Sequence, residues 1–150
     1  MSTFREQLLG PKKDSVVADL VDLAERTVQA QSGLSGRLVK GAYAAARKVD
    51  ENIAAKAAKQ LLPEITEDLE PLWNSYVAAG QKGGFGPYLV DRKQQVAGLL
   101  LETADRKVHA LNNSTARKIY SPVRGKLVTI VEDHVGDLGE VVEQHVNAAT

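Results

Sequence analysis

The chain has no cysteine among its 150 residues, so disulfides, thiolate metal sites, iron–sulfur clusters and thiol nucleophiles are excluded by chemistry. Aromatic residues are scarce too. Two Phe, one Trp and four Tyr leave few flat rings for stacking bases or cofactors, and they predict an aliphatic core. No stretch approaches the roughly 20 apolar residues that span a bilayer, and the first residues, Met1 to Gly10, lack the apolar run of a signal peptide. Net charge is absent as well: Lys plus Arg and Asp plus Glu are 19 each. No global field then gathers nucleic acid or anionic lipid, so nucleic-acid binding is not expected. These absences predict one cytoplasmic domain over residues 1–150, neither secreted nor membrane-spanning, and long enough to bury a core without staples.

What is present is helical periodicity. From Ser15 to Gln31, Val16, Val17, Leu20, Val21, Ala24 and Val28 keep one face, with Asp19, Asp22, Glu25 and Arg26 between them. Gly33 is read as its end, and Ser35 as the cap of a second helix whose face is Leu38, Val39, Ala42, Tyr43, Ala46 and Val49. An Ala- and Lys-rich helix from Ile53 is expected to break near Pro63, and Pro71 to kink or divide the next one. Gly80 to Gly86 is the one glycine-dense stretch and is read as a surface connection. Pro87 then opens a long helix to about Leu111. Ser114 and Ser121-Pro122 start further pieces, and Gly136-Asp137 hands over to a terminal helix. The expected fold is all-α, a multi-helix bundle.

The second half echoes the first at a shift of about 80 residues. Val17-Ala18-Asp19-Leu20-Val21 followed by Ala24-Glu25-Arg26 returns as Val96-Ala97-Gly98-Leu99-Leu100 followed by Ala104-Asp105-Arg106. Lys40, Tyr43 and Arg47 recur as Arg117, Tyr120 and Arg124 with identical spacing, and Ile53, Leu61, Ile65 and Leu69 match Ile130, Leu138, Val142 and Val146. The pattern predicts two similar units, 11–79 and 87–150, joined by 80–86 and related by a pseudo-two-fold axis, each covering the other's apolar face.

Little in the sequence carries chemistry. His109, His134 and His145 form neither paired Glu-x-x-His nor His-Glu-x-x-His motifs, so no metal site is predicted. There is no Gly-x-Ser-x-Gly elbow, and the glycine-rich stretch ends in Gly86-Pro87 where a phosphate loop needs Gly-Lys-Ser/Thr. No catalytic residue and no cofactor are assigned. Residues 37–62 have the Ala and Lys content of helices that lie on lipid, but their small apolar side chains favour ordinary helix packing. The candidate ligand-binding residues are the repeated set, Lys40, Tyr43 and Arg47 with Arg117, Tyr120 and Arg124. Spacings of three and four place each phenol beside two cations on one helix face, where the set can either hold an anion or pack a tyrosine between helices.

With Gly33-Leu-Ser-Gly36, Lys40-Gly-Ala-Tyr43, Leu61-Leu-Pro63, Trp73, Phe85-Gly86, Leu99-Leu100, Asp105 and Tyr120-x-x-x-Arg124, nearly the whole chain resembles an uncharacterised family of small helical bacterial proteins, largely actinobacterial. The resemblance implies a bacterial cytoplasmic setting and supplies no activity, substrate or cofactor. The function expected from the sequence is a non-enzymatic interaction or scaffold protein, binding an unknown protein partner or its own copies. The alternative is a carrier of a small apolar or anionic ligand held between the helical halves.

Overall fold

The computed structural model describes residues 4–110 and 114–147, all of whose regular structure is helical. The order is α1 (Phe4–Leu9), α2 (Lys13–Gln29), α3 (Gly33–Val49), α4 (Ile53–Ala78), α5 (Phe85–Val90), α6 (Lys93–Ala110), α7 (Ser114–Tyr120) and α8 (Arg124–Asn147). The long helices α4 and α8 form the centre. Against them α2 and α6 each pack twice: α2 touches α4 and α8, and α6 touches α8 and α4. The short helices close one side, α1 on α4 and α5 on α8, while α3 and α7 pack against each other.

Six-residue helices fall well below the roughly 12–15 residues at which an isolated helix holds in water. Packing must therefore maintain α1 and α5. Phe4 and Leu8 of α1 and Phe85 and Leu89 of α5 are buried, and full burial of such side chains contributes about 1.5–3 kcal/mol each. Phe4 stacks on Trp73 at 5.4 Å between ring centres, Phe85 meets Trp73 edge-on at 5.0 Å, and Tyr76 and Tyr88 complete the group. This pole of the core is aromatic. The aliphatic core expected from composition occupies the rest, through Val16, Leu62, Leu69, Val96 and Val135. Aromatic residues are few, but most of them converge on one place.

The break expected at Pro63 and the division at Pro71 do not occur, since α4 runs through both. Each proline removes one helical hydrogen bond and crowds the carbonyl four residues earlier. Pro63 and Pro71 are exposed, and so are Lys59 and Glu67, whose carbonyls lose their partners, so water can take those bonds. The opposite face carries Leu62, Leu69, Leu72 and Trp73 into the core.

The glycines act differently from the reading as breaks. α8 continues through Gly136 and Gly139, because these positions let α5 come close. A Cβ on Gly139 would sit 2.8 Å from Gly86 Cα and 2.9 Å from Phe85 O, and one on Gly86 would sit 2.7 Å from Gly136 O. Gly86 thus belongs to a helix interface. The connection between α4 and α5 covers residues 79–84, and Gly84 lies at φ 96°, a region that side chains rarely enter. Asp91 and Arg92 interrupt the helix expected from Pro87 onward, and Leu111 lies outside the described residues.

Candidate functional site

Lys40, Tyr43 and Arg47 sit on α3, but the second set does not share one helix face as its spacing predicts: Arg117 and Tyr120 are on α7, a turn over 121–123 follows, and Arg124 opens α8. Tyr120 donates to Asp105 Oδ1 at 2.7 Å, and Arg124 grips the same carboxylate through Nη2 to Oδ2 at 2.9 Å and Nε to Oδ1 at 3.3 Å. The hydrogen bonds from Arg124 and then from Tyr120 hold the Asp105 carboxyl below its ordinary range. Burial, then the hydrogen bond to Asp105, pushes the Tyr120 phenol up. In the first half Glu25 faces Tyr43, whose phenol is raised by burial and then by that carboxylate, and the Arg47 guanidinium stands 6.0 Å from the ring centre. Glu25 and Asp105 occupy matching places in the repeated sequence. Lys40 and Arg117 are exposed, Arg117 with interactions of its own. The Arg124 charge is already matched by Asp105, so this set has the make-up of a clasp tying α6, α7 and α8.

A cavity of about 410 Å³ opens beside Tyr43. Its wall comes from α2 (Leu20, Leu23, Val28), α4 (Ala57, Leu61, Ile65) and α8 (Leu127, Ile130, Leu138), with Leu100 of α6 behind. Three alanines on α4, Ala54, Ala57 and Ala58, leave the space that larger residues would fill. Polar side chains enter only as Thr27, Tyr43 and His134, and Asp137 Oδ2 lies 3.1 Å from His134 Nδ1. Of the six site residues expected from sequence, only Tyr43 lines this cavity.

The chain belongs to a family of unknown function, DUF6918, whose model matches residues 4–146. No curated protein and no solved structure matches it. For this family member the described residues contain no group of three or more metal-ligating side chains, and no helix among them is long and apolar enough to cross a membrane.

Sequence reasoning missed the cavity because its wall is made of residues that look like ordinary core. The readable signal was the cluster of small residues Ala54, Ala57 and Ala58 at the start of a helix that buries larger side chains further on. His134 was weighed only as a metal ligand.

Proposed function

We propose that the protein is a carrier of a small apolar ligand, held between its helical halves. The observation behind this reading is the cavity walled by carbon over α2, α4 and α8. Its volume falls within the roughly 300–1,000 Å³ of small-molecule sites. An apolar groove of this size leaves carbon facing water, and a ligand that covers it removes that surface from water. Thr27, Tyr43 and His134 supply the few polar groups that orient such a ligand. The scaffold reading draws on exposed apolar side chains of α3 but gives no reason for the cavity, so the carrier accounts for more.

Duplication belongs to the same proposal. Helices of 6, 17, 17 and 26 residues are followed by helices of 6, 18, 7 and 24, and α1 on α4 and α2 on α4 have counterparts in α5 on α8 and α6 on α8. The Tyr43–Glu25–Arg47 and Tyr120–Asp105–Arg124 sets support it, and we read the second as a structural clasp whose anion-binding capacity is taken up by Asp105. A bacterial cytoplasmic setting completes the proposal, resting on the resemblance and the lack of cysteine.

The test is native mass spectrometry of freshly purified protein together with titration by the apolar fluorophore N-phenyl-1-naphthylamine. Wild type should enhance and saturate the fluorescence. Ala57→Phe, which fills the cavity from α4, should abolish it while melting at or above the wild-type temperature. Equal probe binding by both proteins refutes the carrier.

A further inference from the structure

Helix α3 is unusual on its solvent side. Gly36 and Val39 are its buried residues, and the helix packs against α2, α4 and α7. On the other side Leu34, Leu38, Gly41, Ala45 and Val49 recur at spacings of four, three, four and four, which aligns them in one stripe. Leu34 is 85% exposed, Val49 63% and Leu38 41%. An adjoining stripe carries Arg37, Lys40, Arg47 and Lys48, all exposed. No acidic residue occurs from Gly33 to Val49, although the chain as a whole is neutral.

We infer that this face of α3 docks on an anionic lipid surface. Such a surface offers both halves of what α3 presents: acyl chains for leucines 34 and 38, and phosphate headgroups for the four cations beside them. A helix with a continuous apolar stripe next to an uninterrupted basic one lies in the plane of the interface and does not need to span it. The small residues Ala42, Ala45 and Ala46, which argued against lipid when the segment was read alone, are half-buried, while Leu34, Leu38 and Val49 are left outside. Charge complementarity selects lipid over a second copy of the chain. Another copy of α3 would bring four cations against four. The proposal goes beyond the carrier reading and does not depend on the cavity being occupied.

The experiment is co-flotation of the full chain with phosphatidylcholine vesicles, with and without phosphatidylglycerol, at low and high salt. Wild type should float only with the anionic vesicles, and less as salt rises. Arg37→Ala with Lys48→Ala should weaken partition about thirtyfold. Leu34→Ser with Leu38→Ser should weaken it at least about tenfold. Both pairs are on the surface, and fluorescence of the buried Trp73 checks that they fold. Flotation equal on neutral and anionic vesicles, no flotation at all, or variants that float like wild type would overturn the inference. A dimer in sedimentation that the leucine pair dissolves would overturn it in favour of self-association. Ala57→Phe should float normally; if it fails, the lipid contact lies in the cavity and the assignment to α3 is wrong.

Discussion

Replacing Gly139 with alanine separates close packing from helix propensity more sharply than any other single change. The new Cβ would meet Gly86 Cα at 2.8 Å, Gly86 N at 2.9 Å and Phe85 O at 2.9 Å, and all three are backbone atoms that no rotamer can move aside. Ordinary carbon contacts lie near 3.5–4.0 Å, so α5 must retreat from α8 by about 1 Å. Phe85 and Leu89, both fully buried, retreat with it. Overpacking of this severity costs about 3 kcal/mol, and the better helix propensity of alanine offsets about 1, leaving about 2 kcal/mol of destabilisation. For a chain of this size that lowers the melting temperature by about 4–8 °C. The matched control is Gly98→Ala in the middle of α6, where a Cβ meets nothing within 4 Å. There propensity acts alone, and the variant should gain about 1 kcal/mol and about 2–4 °C. Melting curves followed by circular dichroism and by Trp73 fluorescence decide the matter. A Gly139→Ala protein that melts at or above wild type would falsify the close approach of α5 to α8.

The remaining predictions concern polar ties. Tyr76 donates to Glu143 Oε2 at 2.6 Å, and burial followed by that carboxylate pushes its phenol up to about 12. The folded chain therefore holds this proton more tightly than the unfolded one, whose tyrosines titrate near 10. The stability it contributes is whole below about pH 10 and is lost as pH rises through about 12, and Tyr76→Phe should flatten that alkaline limb in urea titrations. Asp105 works in the opposite sense: its lowered carboxyl stabilises the fold above the ordinary Asp range and loses that effect as pH falls through its folded value, so Asp105→Asn should reduce the acid dependence. Tyr120→Phe should cost about 1 kcal/mol for the bond to Asp105, measured by chemical denaturation. Since α7 buries no residue, Tyr120→Ala should cost less than the roughly 3–5 kcal/mol of a fully buried aromatic.

Local signals placed some helix starts and misplaced others: Ser35, read as a cap, lies inside α3, which already opens at Gly33, and Pro87, read as an opening, lies inside α5. The apolar periodicity of residues 15–31 falls on α2 with its bounds shifted by about half a turn, and Ser114 does open α7. Helix α1 went unread, since six residues are too few for a period to show and only Phe4 and Leu8 meeting the core make it a helix. Glycine and proline misled for a shared reason. Each was read as punctuation, yet Pro63 and Pro71 lie on a wet face where lost bonds are replaced, and Gly136 and Gly139 lie where a neighbouring backbone needs the room.

The sequence by itself determined the class of fold and, through its lack of cysteine, the thiol chemistry closed to the chain. Both follow from residue types and from a period of 3.6, which need no knowledge of neighbours. It also placed Lys40, Tyr43 and Arg47 on one face, since they share α3, whereas Tyr120 and Arg124 meet only across the turn between α7 and α8. Only the tertiary structure decided which acids close those sets, where the five aromatic residues from α1, α4 and α5 converge, and that α2, α4 and α8 leave a cavity between them. These depend on distances between helices far apart in the chain. A leucine that fills the core and a leucine that walls a cavity are the same letter, and the difference lies in what stands opposite.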